Sequence, residues 1–280
     1  MNTGPIVLLT DFSAQGSLVG IMRGVIAGIA PEVPVIDLNH SIPAGDIAQA
    51  AFALWQSAPY FPRGTVFLAV VDPGVGTERR GLAACWPGFS CVGPDNGLFT
   101  FLLAASDPDL VVELKETRFH LETPSATFHG RDIFAPVAAH LATGVPPDRF
   151  GPQALDLVRF PLPTLSLESG PSIRGEILHA DPFGNLITSL GLLQQHDDGL
   201  QFEPWLPGCP AASLEGSYFH VLLPDGTRLA LRRTFGEVAP GEPLAYIGSS
   251  GLLEIGINRG RAENVLPLAQ GQSIQLFKEG

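Results

Sequence analysis

The segment Val70-Val71-Asp72-Pro73-Gly74-Val75-Gly76-Thr77-Glu78-Arg79-Arg80 sets one carboxylate and two guanidinium groups around a glycine-rich turn. Glycine lets the backbone fold back sharply, so Arg79 can return toward Asp72 and form a paired, partly buried site. A purely structural salt bridge satisfies the same spacing. The turn is not a phosphate loop, because no Gly-Lys-Ser/Thr follows, nor a dinucleotide fingerprint, because the third glycine and the helix are missing. Thr127-Phe128-His129-Gly130-Arg131-Asp132 precedes an expected helix, which places His129 in a loop opening onto a helix N-terminus. A histidine there is either a proton-handling group or, more commonly, a solvated or capping residue. Further along, Asp181-Pro182-Phe183-Gly184-Asn185 displays an aromatic ring beside an amide, and Gly248-Ser249-Ser250-Gly251-Leu252-Leu253-Glu254 is a second polar turn. A ring plus an amide suits a planar heterocycle, and a hairpin plug equally well.

These residues need elements to hold them. Apolar runs at residues 6–10, 33–38 and 65–71 alternate with helical periodicity at 17–30, where Leu18, Ile21, Met22 and Val25 share one face, and at 47–57, capped by Asp46. TVFLAVV at 65–71 is β-branched and apolar on both faces, as a central strand of a parallel sheet requires. Strands at 82–86 and 111–114 and helices near 98–105 and 134–143 complete an α/β domain with a central, mainly parallel sheet, residues 1–166. Three strand ends, Thr10-Asp11, Asp37-Leu38-Asn39-His40 and Asp72, then fall on the edge where open α/β sheets bind ligands. Residues 144–171 are Pro-rich and irregular and mark a linker. Beyond it, short strands with frequent turn signals, from 173–179 to 273–277, predict a smaller all-β, barrel-like domain, residues 167–280.

Composition removes several function classes. Of 280 residues, 45% are hydrophobic and 16% charged, which excludes a disordered chain. The net charge of −12 repels nucleic-acid phosphates and anionic membranes. Cys85, Cys91 and Cys209 are odd in number and lack CxxC spacing, which argues against a disulfide framework or a structural zinc and fits a reducing cytoplasm. The first residues lack a basic region and reach Asp11 after a short apolar run, so neither a secretory signal nor a membrane span is expected there.

Thr10-Asp11-Phe12, Val71 to Thr77, Gly93-Pro94-Asp95-Asn96-Gly97, Phe128 to Asp132, Asp181 to Asn185 and Ser249-Ser250-Gly251 together resemble the S-adenosyl-L-methionine hydrolases, or SAM hydroxide adenosyltransferases, relatives of the SAM-dependent fluorinase and chlorinase. The resemblance runs in order from Ile6 to Asn258. It implies an α/β domain, a C-terminal β-barrel, and a homotrimer with sites between the first domain of one subunit and the second domain of its neighbour. It implies that Asp72, Arg79 and His129 form the set that separates water-using members from halogenases, which have Tyr at the position of Asp72. It further implies that Asp11 holds the ribose hydroxyls, that Phe183, Asn185 and the backbone of Ile257 contact adenosine, and that Ser249 and Glu254 hold the methionine end. Ser13, where the family usually has Gly, and Ala44-Gly45, in place of a more polar pair, depart from the pattern near the ribose and methionine rim.

The implied reaction is attack of water on the ribose 5′ carbon of S-adenosylmethionine, giving adenosine and methionine. The sulfonium leaves without a general acid, so the site need only position and partly deprotonate water. No cofactor or metal is needed, and which of Asp72 and His129 takes the proton stays open. Two rivals remain: a divalent-metal hydrolase using Asp11, Asp37, His40 and Asp72 as ligands, and a non-catalytic sensor of adenosine or S-adenosylmethionine.

Overall fold

The computed structural model describes residues 4–13, 15–168 and 172–278. The chain divides into two compact units, residues 1–160 and 161–280. In the first unit the elements are β1 (Ile6–Thr10), α1 (Leu18–Ile29), β2 (Val35–Asn39), α2 (Ile47–Ser57), β3 (Thr65–Val70), β4 (Gly81–Trp86), β5 (Phe89–Pro94), α3 (Thr100–Ala105), β6 (Leu110–Glu113) and α4 (Ala135–Ala142). The strands form one sheet in the order β2-β1-β3-β5-β4-β6.

That sheet is mixed, which corrects the expectation of a mainly parallel one. β2, β1, β3 and β5 run parallel, but β4 runs antiparallel to both β5 and β6. The reason is local: only Pro87 and Gly88 separate β4 from β5, and a connection so short can make a hairpin but not a crossover. Gly88 carries φ +142°, a conformation that suits glycine at this tight reversal. Strand β5 itself is absent from the expected set, its alternating FSCVGP being too weakly patterned to stand out.

Side chains leave the central strands alternately to two helical layers. Ile6, Leu8, Val66 and Leu68 pack with Met22 and Ile26 of α1 and Val137 of α4, while Val7, Leu9, Phe67 and Ala69 pack with Ala50 and Leu54 of α2 and Leu102 of α3. Each large aliphatic side chain buried this way contributes about 1.5–3 kcal/mol. On α1 the buried stripe is Val19, Met22 and Ile26, whereas Leu18 and Ile21 are exposed. Both stripes fit helical spacing, and packing on the sheet and α4 selects the first. Asp46 caps α2 by accepting the Gln49 N–H at 2.9 Å.

The second unit contains β7 (Leu165–Glu168), β8 (Ser172–Ala180), β9 (Leu186–Thr188), β10 (Leu193–His196), β11 (Gly199–Phe202), β12 (Ala212–Glu215), β13 (Phe219–Leu222), β14 (Arg228–Arg232), β15 (Pro243–Ile247), β16 (Leu253–Ile257), α5 (Ala262–Val265) and β17 (Ser273–Lys278). Strands β17-β13-β14-β15-β16-β9-β8 follow one another and β8 pairs back onto β17, closing a seven-stranded barrel. Ile173, Val221, Leu229, Ile255 and Leu276 fill its interior. Strand β7, inside the expected linker, adds to β8; residues 169–171 of that linker lie outside the described residues. Among the described residues no helix is long and apolar enough to cross a membrane.

Candidate active site

Because β1 and β3 are parallel, with Thr10 opposite Val70, Asp11 and Asp72 emerge side by side at the carboxyl edge of the sheet. The Arg79 Nε–H donates to both Asp72 oxygens, at 2.9 Å to Oδ1 and 3.0 Å to Oδ2, and Nη2 makes a short bond to Oδ2. Nη2 also lies 2.7 Å from His129 Nδ1. A guanidinium can only donate, so Nδ1 is the acceptor and the neutral imidazole carries its proton on Nε2. The Asp72 and Arg79 side chains are only 5% and 10% exposed, and the guanidinium sits over the Phe134 ring, 5.1 Å from its centroid. Gly76, at φ +79°, lets the turn touch the 125–129 segment: a Cβ there would stand 2.3 Å from the Ala126 carbonyl oxygen.

His129 opens a π-turn over Gly130–Phe134 that runs into α4. Burial lowers the His129 pKa and the Arg79 charge lowers it further, outweighing the pull of Asp72 and Asp132. Burial likewise lowers His120, with a smaller contribution from His129, and burial lowers His140. Asp132, fully buried, would be raised by burial, but hydrogen bonds from Arg131 and the Ser125 N–H hold it below the usual carboxyl range.

The sign for stability follows from the imidazoles. Folded-state values below the unfolded value of about 6.5 mean that the unfolded chain binds more protons, so their contribution is complete above that pH and is lost as pH falls through the lowered values. Thermal melts should therefore drop in Tm from pH 7.5 to pH 5.5, by less in a His120→Gln/His129→Gln/His140→Gln variant. Equal slopes in the two proteins would show that these rings are not held neutral.

Asp11 is set by the loop after β2, whose Gly45 N–H donates to Oδ2 at 2.8 Å. Phe12 packs edge-on against Phe128 with centroids 5.7 Å apart, which joins the Asp11 turn to the His129 segment. His40 and Asp37 are engaged elsewhere. His40 Nδ1 lies 2.9 Å from Thr10 Oγ1, its Nε2 lies 3.2 Å from Asp37 Oδ1 without hydrogen-bond alignment, and Asp37 pairs with Arg23 at 2.6 Å. The four side chains weighed as metal ligands are thus divided among separate partners. Among the described residues no three His, Cys, Asp or Glu groups come together to hold a metal ion.

In the second unit, Asp181 Oδ1 accepts the N–H groups of Phe183 and Asn185, both at 2.8 Å, and Oδ2 accepts the Asn185 amide at 3.0 Å. This Asx-type turn leaves the Phe183 ring 76% exposed, while Asn185 is buried. Glu254 lies opposite Tyr246 across the β15–β16 hairpin and accepts a short bond from its hydroxyl. Burial raises the Glu254 pKa against the lowering effect of that bond, and among the described residues Glu254 has no cationic partner. Ser249 is exposed at the hairpin tip, and the Ile257 carbonyl accepts the Gly260 N–H at 3.0 Å. Phe134 under Arg79 and Tyr246 against Glu254 were missed by sequence reasoning. Pairing residues symmetrically about Ser250 would have found the second.

A layered α/β unit with an Asp-Arg-His chain at its strand ends, followed by a closed barrel, defines the class of protein. The family models for the SAM hydroxide adenosyltransferase N-terminal domain and C-terminal domain match residues 6–151 and 175–275. The chain belongs to the SAM hydroxide adenosyltransferase family. It is 42% identical over 98% of its length to the (R)-S-adenosyl-L-methionine hydrolase of Thermus thermophilus, 99% of which is covered. It is 29% identical over 96% of its length to the fluorinase of an Actinoplanes species, 94% of which is covered. A crystal structure of a conserved protein from Thermotoga maritima superposes with a TM-score of 0.83 at 32% identity, covering 98% of this chain and 100% of that one.

Proposed function

We propose that this protein hydrolyses S-adenosyl-L-methionine to adenosine and L-methionine, with Asp72, Arg79 and His129 activating the water that attacks the ribose 5′ carbon. One observation carries the reading: carboxylate, guanidinium and imidazole form a single hydrogen-bonded chain at the sheet edge. As the water oxygen bonds to the 5′ carbon, the carbon–sulfur bond breaks and its electron pair neutralises the sulfonium. The water gives up a proton, so each turnover releases one. Asp72 Oδ1 accepts one Arg79 bond where Oδ2 accepts two, which leaves it the freer acceptor for that proton. His129, its Nδ1 committed to Arg79, offers an Nε2–H that can hold the water oxygen in line.

In the same reading Asp11 accepts the ribose hydroxyls, and Phe183, Asn185 and the Ile257 backbone hold adenosine. Ser249 and Glu254 hold the methionine end, a role that suits a carboxylate with no cationic partner among the described residues. Incubation with S-adenosylmethionine should give adenosine and methionine in equal amounts with one proton released, unchanged by a chelator. The name of the Thermus relative specifies the R form, so both sulfonium configurations belong in the assay. Tight binding without products would instead support a sensor, and chelator-sensitive turnover a metal hydrolase.

We further place the enzyme in the cytoplasm, which suits its three free cysteines. We assign it a homotrimeric state with sites shared between subunits, on the family resemblance. Asp72→Ala subunits exchanged with Asn185→Ala subunits should then regain activity, because some mixed sites carry neither lesion. Mixed trimers seen by mass spectrometry without rescue would place each site within one subunit.

A further inference from the structure

The motif Gly93-Pro94-Asp95-Asn96-Gly97 takes no part in the chemistry proposed above, yet it grips both ends of the turn that carries it. Strand β5 lies beside β3, so its end delivers Asp95 and Asn96 to the point where the 72–79 turn leaves and rejoins the scaffold. At the leaving end, Asn96 Nδ2 donates to the Val71 carbonyl at 2.8 Å, and Asn96 Oδ1 accepts the Leu98 N–H at 3.3 Å. At the rejoining end, the Asp95 N–H donates to the Arg80 carbonyl at 2.9 Å, and Arg80 Nε donates to Asp95 Oδ2 at 2.8 Å. The Asp95 side chain is only 3% exposed, and its Oδ1 accepts the Val158 N–H at 2.9 Å.

We propose that Asn96 is a positioning residue for the water-activating pair, fixing the Asp72 carboxylate through the Val71 carbonyl while Asp95 anchors the return of Arg79. The inference rests on the reading of Asp72 and Arg79 given above. The physical reason is short leverage: the Val71 carbonyl belongs to the peptide whose nitrogen is that of Asp72, so a rotation of this peptide swings the carboxylate directly. A misplacement of about 1 Å at a reacting group costs roughly 100-fold in rate. The position needs an amide donor. An aspartate there would set a carboxylate oxygen against a carbonyl oxygen, while an alanine would simply release it.

Asn96→Asp and Asn96→Ala should lower kcat by about 10- to 100-fold while leaving KM and the affinity for adenosine within about twofold. The Arg79 Nε–H resonance, which reports the bond to Asp72, should shift in a 15N-labelled variant. An unchanged kcat would overturn the proposal. So would a parallel loss of kcat and adenosine affinity with a lowered Tm, the mark of a merely structural residue. If the native enzyme fails to turn over, the reaction reading falls on its own, and the Arg79 Nε–H signal still decides whether Asn96 sets the pair.

Discussion

Asp72→Asn is expected to lower kcat for adenosine formation by about 100- to 10,000-fold, the range for removing a proton-accepting or positioning group, while the affinity for adenosine changes by less than about threefold. In the proposed reaction the two effects separate, because the carboxylate that pairs with the Arg79 guanidinium acts on the attacking water rather than on the nucleoside. The amide keeps the shape of the group but cannot take the proton, and one of its ends now presents N–H groups to a donor-only partner. Asp72→Ala is the harsher change, since it leaves the Arg79 guanidinium, 10% exposed, without its anion. Leaving one member of a buried pair uncompensated costs about 3–5 kcal/mol of stability, so Tm must be read alongside kcat, and the Asn variant is the cleaner probe. A loss of adenosine affinity equal to the loss of turnover would contradict the assignment, and half-retained activity would move the nucleophile to another place.

Asp11→Ala should act on binding. A ribose diol donating to one carboxylate makes charge-assisted bonds of about 1.5–3 kcal/mol each before desolvation is counted, so adenosine affinity should fall by roughly 10- to 100-fold, or about 1.4–2.8 kcal/mol. One Asp11 oxygen already accepts the Gly45 N–H, and Asp11→Asn, which can keep that bond, should fall between the native protein and the alanine variant. The discriminating ligand is 2′-deoxyadenosine. The native protein should bind it more weakly than adenosine, and the alanine variant should barely distinguish the two. Calorimetry showing unchanged adenosine affinity in Asp11→Ala would reduce this carboxylate to a fastener of the Gly45 loop.

How far the site could be read before any fold was known depended on the chain distance separating its parts. Arg79 and Asp72 are joined by a short turn whose glycines make return of the chain cheap, and their pairing was legible. The contact of Arg79 with His129 spans 50 positions and exists because the Gly76 turn meets the segment ahead of α4. The four candidate metal ligands show the same dependence in reverse: among the described residues they do not gather into one cluster. Asp37 and His40 stand at a neighbouring strand end, as sequence placed them, but Arg23 and Thr10 engage them first.

Sequence by itself determined what covalent spacing and local chemistry control: two regions of α/β and all-β character, the Asp46 cap, the glycine turn around Asp72, and the turn that displays Phe183 beside Asn185. Only the tertiary structure decided what depends on groups remote in the chain. The direction of β4, the closure of β8 onto β17, the choice of the Val19-Met22-Ile26 stripe over its neighbour, and the grip of Asp95 and Asn96 on the turn that carries Asp72 and Arg79 all belong to this second set. Each turns on which of several locally equivalent surfaces finds a partner to exclude water or accept a hydrogen bond, and that partner is supplied by the assembled fold.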